Sequence, residues 1–478
     1  MSEATKPEEK AQTPDRPREI QRGWLAAFVL LVALTVDFST DTPYVPGLWL
    51  GPFYRLGPAS QWTSALCAAV LCLLALLPIL SPQSREEGPS RTSVAASVGL
   101  RLLPLPAMLF ACLWSRPHLV PRLLVPWYGF MLAASCFFVL AAVRRSSPLR
   151  IAVAAALVGI GVRLVHFSRF SIDVGGDMLP LVRAALDSFL GGHSPYVHHR
   201  VPEILPLTYY PLTWLAYLPA RLLHLDLRLT NLVAELAIPV AALHAGRHPA
   251  KPAAGTVETP VGAALLLWSF VFLLPSSVFF DRITTAPIAW ALLAWTLAAS
   301  ARGSRWDWLW AGLLAAATPL GALPLLFLLL VWWQELSWRR AIGRAVLTAA
   351  VALVCIAPFY LWSPQGFLDG AVLWFNDLDR FPGSKWRAFQ TWQRYVGFGG
   401  LFWRTGLQRW LLPIQWSLVL GLAVLYLRRR SGRWLLPAYL ATAFIAFMAF
   451  NSVHWPYFYQ PALWCGLVAL AASAAAHD

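Results

Sequence analysis

Long apolar runs, separated by short basic clusters, limit what this chain can fold into. Runs of ~17 to 25 mostly apolar residues recur along it, the length that a helix needs to cross a bilayer. Of the residues, 58% are apolar and only 13% are charged, and 25 of the residues are Trp. A soluble fold would leave too much apolar surface in contact with water. The sequence therefore predicts an all-α, polytopic membrane protein.

The formal net charge of +15 fits the same interpretation. Lys and Arg are clustered between the apolar runs, as the positive-inside rule requires, so we do not expect a nucleic-acid partner. All six cysteines lie in apolar segments and lack metal-ligand spacing. We interpret them as small buried residues, and we predict no disulfide, no metal and no cofactor.

Composition divides the chain into three parts. Residues 1–22 are polar and lack aromatic residues, which predicts a disordered cytoplasmic tail. Residues 23–149 are predicted to form an additional N-terminal module of four membrane helices, and residues 150–475 the main membrane domain. The predicted spans lie near 24–40, 62–80, 98–115, 124–143, 150–167, 229–245, 261–279, 283–300, a short hairpin over 306–336, 342–362, 407–427, 433–450 and 455–474.

The basic clusters fix the predicted orientation. Arg144, Arg145 and Arg150 mark a cytoplasmic loop, so the loop 168–228 lies outside. A crossing helix over 209–223 would place the basic segment 246–260 outside. We therefore interpret 209–223, which contains Pro211 and Pro219, as an interfacial or re-entrant segment. About fourteen crossings result, with both termini in the cytoplasm.

Polar residues that are far apart in the sequence meet on the predicted outer face. Ionisable residues are expensive to place beside a bilayer, which makes them functional candidates. The outer loops 168–228 and 364–406 both carry such residues. The full set comprises Asp173 and Asp177 beside a Gly-Gly pair, the cluster 193–200, Asp281 and Arg282, the basic and aromatic loop 364–406, and His454 with Tyr457.

The order of three short motifs carries a resemblance to a known family. The motifs are Asp177-Met-Leu-Pro, then Gly192-His-Ser-Pro-Tyr196, then Thr208-Tyr-Tyr-Pro-Leu212, followed by FDRITTAP, ATPLGALPLL and the 452–457 element. Over residues 150–475 the chain resembles the GT-C membrane glycosyltransferases, and among them those that use polyprenyl-phosphate mannose. The spacing from Asp177 to Tyr196 is slightly longer than in the family, and the lysine common in its turn is absent from ATPLGALPLL. Asp173 therefore remains a second candidate for the family carboxylate.

The resemblance implies transfer of a sugar, with mannose expected, from a polyprenyl-phosphate donor to a lipid or glycan acceptor at the extracytoplasmic face of the cell membrane. Such a donor is already activated, so the enzyme has to deprotonate the acceptor hydroxyl and stabilise the departing phosphate. Asp177 is the predicted general base, with Asp173 as its rival, and one-step displacement would invert the anomeric centre. The predicted substrate-binding residues are Tyr196, Tyr209, Tyr210, Asp281, Arg282, Arg380, Arg387, His454 and Tyr457.

Other interpretations stay open at this stage. Asp173 or Asp177 could cap the following helix, and Asp281 could form a local ion pair with Arg282. His454 could be an interfacial anchor, and the arginines of 380–404 could bind lipid headgroups. A polytopic transporter or lipid flippase is the alternative of another class, favoured by Glu235 inside an apolar helix. A non-catalytic subunit of a glycan-assembly system is a third.

Overall fold

The computed structural model describes residues 16–39, 57–80, 94–115, 119, 121–173, 176–201, 203–246, 259–374, 397–451 and 456–474. These residues form helices and one two-stranded antiparallel hairpin, β1 (His198–Val201) and β2 (Glu203–Pro206). The helices before and around the hairpin are α1 (Arg16–Ser39), α2 (Gly57–Leu80), α3 (Val94–Leu102), α4 (Pro104–Ser115), α5 (Pro121–Val143), α6 (Pro148–Arg169), α7 (Met178–Leu190), α8 (Pro211–Leu215), α9 (Leu218–Leu222) and α10 (Arg228–Gly246). The later helices are α11 (Pro260–Leu273), α12 (Pro275–Ile283), α13 (Ala286–Ala301), α14 (Asp307–Ala317), α15 (Ala322–Glu335), α16 (Trp338–Trp362), α17 (Pro364–Phe367), α18 (Gly399–Arg404), α19 (Leu411–Arg428), α20 (Leu436–Ala449) and α21 (Gln460–Ala472). Short 3-10 turns lie at Pro319–Gly321, Gln408–Trp410, Arg433–Leu435 and Pro456–Tyr459, and a π-helical turn at Leu368–Leu373.

Five helices of the described residues are long and apolar enough to cross a membrane. They are α5, α6, α10, α16 and α19, and the bent pair of α11 and α12 makes six. Further apolar helices of 10–17 residues are shorter than the ~20 residues of a typical crossing. The predicted all-α membrane class is thus confirmed, whereas fourteen crossings and the GT-C fold stay predictions.

The segment 209–223 does not form one crossing helix. It contains two helices of five residues each, α8 and α9, with Pro211 at the start of one and Pro219 inside the first turn of the other. Proline has no backbone N–H to donate, so it starts helices and does not continue them. The predicted break is confirmed, and the predicted position at the membrane interface stays a prediction.

The predicted span over 261–279 contains a break that the sequence analysis did not predict, and whether this bent pair crosses the membrane stays a prediction. The axes of α11 and α12 meet at 66°. Pro275 starts the second helix, and the Ser277 hydroxyl donates to the Val271 carbonyl at 2.8 Å. The Leu274 N–H also donates to this carbonyl, at 3.1 Å, so the end of α11 keeps its hydrogen bonds at the break.

The N-terminal helices pack on the rest of the bundle. Helix α1 contacts α21, α2 contacts α20, and α4 contacts α11. Thr442 on α20 donates its hydroxyl hydrogen to the Ala75 carbonyl at 2.7 Å, and one continuous core runs from Leu25 to Ala472. The hydrophobic core is therefore continuous across the predicted boundary at residue 149. A separate N-terminal module stays a prediction.

The predicted cytoplasmic loops meet at one end of the bundle. Arg302 donates to the His244 carbonyl at 3.4 Å, and Arg344 pairs with Asp307 at 2.7 Å. Arg433 pairs with Glu335 and lies beside the turn that follows α13. The basic clusters that contain Arg302, Arg344 and Arg433 thus share one end.

Candidate functional site

The candidate site lies where the loop before α7 meets the C-terminal end of α12. A methyl group built at the Cβ position of Gly176 would lie 3.1 Å from the Ile283 Cβ and 3.2 Å from the Ile283 carbonyl oxygen. Glycine therefore lets this loop approach the backbone of α12 closely. The approach brings Asp177 next to the segment that carries Arg282.

Asp177 occupies the N-cap position of α7 but does not cap the helix. Its side chain makes no capping hydrogen bond. Burial raises the pKa of the Tyr209 hydroxyl, and the charge of the Asp177 carboxylate and the Tyr457 hydroxyl raise it further. The Tyr457 ring also lies 5.8 Å from the Phe280 ring of α12. The Asp177 carboxylate thus has no capping role, and its charge acts on the Tyr209 hydroxyl.

Asp173 is engaged elsewhere. Arg183 on α7 forms an ion pair with its carboxylate, and the Ser171 hydroxyl donates to it at 3.0 Å. The hydrogen bond from Arg183 holds the pKa of Asp173 below its usual range, with the Ser171 bond adding to it. A carboxylate of lowered proton affinity is a poorer general base. Of the two predicted candidates, the geometry favours Asp177.

Arg282 is a buried cation. Its side chain is 3% exposed, and its guanidinium carbon lies 4.2 Å from the centre of the Phe170 ring and 5.2 Å from that of Phe279. Its Nε and Nη1 atoms have no hydrogen-bond partner within the described residues. Stacking on two rings offsets part of the desolvation penalty of this charge, and an anion would offset more.

The alternative of a local ion pair between Asp281 and Arg282 is wrong, because the partner of Asp281 is Arg163. The Nε atom of Arg163 bonds the Asp281 carboxylate, and its Nη2 atom lies 2.6 Å from the Glu235 carboxylate. All three side chains are 0–1% exposed. Through Arg163 the Asp281 carboxylate joins α12 to α6 and α10, and its predicted contact with substrate stays a prediction. Arg163 was missed by the sequence reasoning, although an arginine inside an apolar run was a usable signal.

Tyr196 is a buried residue that supports the segment carrying Tyr209. It is 1% exposed, and its hydroxyl donates to the Tyr209 carbonyl at 2.8 Å while accepting from Trp214 at 3.3 Å. Gly192, with φ of +76°, makes the turn that ends α7 and leads the chain to Tyr196. Tyr196 therefore anchors the segment that carries Tyr209, and its predicted contact with substrate stays a prediction.

Tyr210 lies half-buried beside the segment that follows α16. Its ring lies 6.2 Å from the Phe367 ring. A Cβ on Gly366 would lie 2.0 Å from the Tyr196 carbonyl, so this segment packs directly on the hairpin region. A cavity of about 290 Å³ opens between the two, away from Asp177, and its lining comprises Tyr196, Val197, His198, Pro206, Gln365, Gly366 and Asp369.

Three predicted site residues, Arg380, Arg387 and His454, lie outside the described residues. Their predicted contacts with the donor phosphate stay predictions. Within the described ranges, no three His, Cys, Asp or Glu side chains are grouped so that they could hold a metal ion.

The described residues thus define an all-helical membrane protein with a polar site at the end of a broken helix. No family model, no curated protein and no solved structure matches this chain. The resemblance to the GT-C glycosyltransferases therefore rests on the residues themselves.

Proposed function

We propose that this protein is a membrane glycosyltransferase. It transfers a sugar, with mannose expected, from a polyprenyl-phosphate donor to a lipid or glycan acceptor at the extracytoplasmic face of the cell membrane. The observation that supports this most directly is the close approach of Gly176 to the end of α12, because Gly176 precedes Asp177, whose carboxylate makes no capping bond, and α12 carries the buried Arg282.

In the proposed reaction Asp177 takes the proton of the acceptor hydroxyl. The acceptor oxygen then forms a bond to the anomeric carbon, while the bond from that carbon to the phosphate oxygen breaks and the phosphate leaves with the electron pair. Attack from the face opposite the phosphate inverts the anomeric centre. Arg282 stabilises the charge that develops on the phosphate, and its attraction is strong because little water surrounds it.

Tyr209 is suited to orient a substrate oxygen. Burial and the nearby Asp177 carboxylate raise the pKa of its hydroxyl, so the hydroxyl keeps its proton at neutral pH. A protonated hydroxyl donates a hydrogen bond and does not compete with Asp177 for the acceptor proton.

The first prediction concerns the base. Asp177→Asn keeps the size of the side chain but removes its basicity, and general-base catalysis typically contributes 10²–10⁴-fold, so we expect transfer to fall by roughly that factor. Asp173→Asn is the matched control, since it removes the carboxylate that Arg183 already engages, and it should reduce transfer less. The measurement is release of label from radiolabelled polyprenyl-phosphate mannose by the purified protein with a membrane extract as acceptor.

Turnover at the wild-type rate in Asp177→Asn would remove Asp177 as the base. Loss in Asp173→Asn alone would exchange the two roles. Equal transfer from a nucleotide sugar without any polyprenyl phosphate would contradict the proposed donor.

A lipid flippase or transporter is a second candidate, and one observation favours it. Buried charges at Arg163, Glu235 and Asp281 lie in helices that are candidates to span the membrane, beside the break between α11 and α12. Transporters commonly combine broken helices with polar residues deep in the bilayer. Reconstitution with fluorescent phospholipid and external dithionite distinguishes the two: the flippase predicts loss of inner-leaflet fluorescence, and the proposed enzyme predicts none.

A further inference from the structure

We propose that Asn231 is a positioning residue that fixes the end of α12 and thereby the place of Arg282. The identity of the ligand at Arg282 rests on the proposed function, whereas the positioning itself rests on contacts among described residues. Asn231 shares one face of α10 with Arg228 and Glu235, because positions three and seven residues apart lie on one side of a helix. All three side chains are 0–3% exposed, so this polar face is turned into the protein.

Asn231 donates hydrogen bonds to backbone carbonyls that lie before and after Arg282 in the chain. Its Nδ2 atom donates to the Asp281 carbonyl at 2.8 Å and to the Thr284 carbonyl at 2.7 Å. Its Oδ1 atom accepts a hydrogen bond from the Tyr217 hydroxyl. This bond fixes the orientation of the amide group, so that its NH2 side faces α12. The last carbonyls of a helix have no partner inside that helix, so one buried amide supplies what the end of α12 lacks.

The neighbours of Asn231 on α10 fix the rest of the surroundings of Arg282. Arg228 donates to the Phe170 carbonyl at 2.7 Å and to the Phe167 carbonyl at 2.8 Å, and Phe170 is the ring on which Arg282 stacks. Glu235 binds Arg163, which in turn holds the Asp281 carboxylate. One face of α10 therefore sets both the ring beneath Arg282 and the backbone that carries it.

The positioning role predicts that a change at Asn231 acts through Arg282. Asn231→Leu keeps the number and branching of the side-chain heavy atoms but leaves two buried carbonyls without a donor, so the end of α12 should shift or open. Binding of farnesyl phosphate, a small polyprenyl phosphate, to the purified full chain should weaken by about tenfold, which corresponds to ~1.4 kcal/mol. In an Arg282→Gln background, Asn231→Leu should weaken binding no further, because the group it positions is gone.

Thr442→Val is the matched control. It also removes a buried hydrogen bond from a side chain to a backbone carbonyl, but between α2 and α20. We expect it to lower thermal stability while leaving farnesyl-phosphate binding unchanged. Hydrogen exchange of the peptide 279–286 gives a readout that needs no ligand: it should become faster in Asn231→Leu and stay unchanged in Thr442→Val.

The outcomes separate the two hypotheses. Unchanged exchange at 279–286 in Asn231→Leu, or additive losses of binding in the double variant, would overturn the positioning role. If the wild-type protein does not bind farnesyl phosphate, the proposed donor fails, and the exchange comparison alone decides on Asn231. Faster exchange at 279–286 in Asn231→Leu, together with non-additive losses of binding in the double variant, supports both the positioning role and the proposed donor.

Discussion

Gly176 lacks a Cβ atom, and this lets the loop that carries Asp177, the candidate base, approach α12 closely. The built Cβ of this residue meets the backbone of Ile283 at 3.2 Å, closer than an ordinary van der Waals contact. Asp177 follows directly, so this close approach determines where the backbone of Asp177 lies relative to the end of α12. Glycine is suited to this position because the loop backbone approaches Ile283 too closely for a Cβ atom, and not because its backbone angles are unusual.

Gly176→Ala tests this contact. The added methyl group has to push the loop away from α12 by a few tenths of an ångström, and small displacements of catalytic groups slow reactions strongly, so we expect turnover to fall by roughly tenfold. Gly343→Ala is the control, because its added methyl group meets nothing within 4 Å. Measured kcat and KM for sugar transfer should change in the first variant and not in the second. Equal rates in all three proteins would show that the contact does not set the position of Asp177.

Among the elements, the β1–β2 hairpin supports the site from outside the helices. His199 in β1 is 7% exposed, and its Nε2 atom lies 2.8 Å from the Pro195 carbonyl. Burial lowers the pKa of His199, and the neighbouring His198 lowers it further. The hairpin is therefore built around a neutral imidazole.

The lowered pKa predicts that the hairpin weakens in acid. The stabilisation from a neutral, buried His199 is complete above the unfolded pKa of about 6.5 and is lost as the pH falls through the lower folded pKa. Hydrogen exchange of the peptide 195–206, corrected for the intrinsic effect of pH, should therefore become faster on acidification. His199→Gln keeps a neutral polar group and should abolish this pH dependence. A pH dependence that persists in His199→Gln would assign the effect to another group.

At the scale of the whole molecule, the polar groups divide between the two ends of the bundle. Asp177, Tyr209 and the end of α12 lie at one end. Arg302 and Arg344 lie with their partners at the other. Which of these ends faces outwards stays a prediction.

Thiol labelling tests which end faces outwards. In a variant without the six native cysteines, Ser194→Cys should react in intact cells with a membrane-impermeant maleimide. Thr256→Cys, in the predicted inner loop 246–260, should react only after the membrane is permeabilised. Reaction of both cysteines in intact cells would place the two loops on the same side.

The sequence predicted the helical class, the break over 209–223 and the acidic loop, because these depend on apolar length, proline and charge. It did not predict that Asp281 pairs with Arg163 and not with its neighbour Arg282, since that choice depends on how α6 packs against α12. It did not predict the break at Leu274 either, because Pro275 lies inside a run of continuous apolar character. The ion pair and the helix break both depend on contacts between residues that are far apart in the sequence, which the local pattern does not show.

Arg22 near the start of α1 donates through Nη2 to the carbonyl of Ser473, just after α21, at 2.9 Å. Both groups sit at helix ends, so the two ends of the described chain emerge at the same surface of the bundle. A path through a bilayer that begins and finishes on one side crosses it an even number of times, whatever the status of each short apolar helix. We therefore predict an even number of crossings between these residues, and two halves of a split fluorescent protein fused to the termini should reassemble in one compartment.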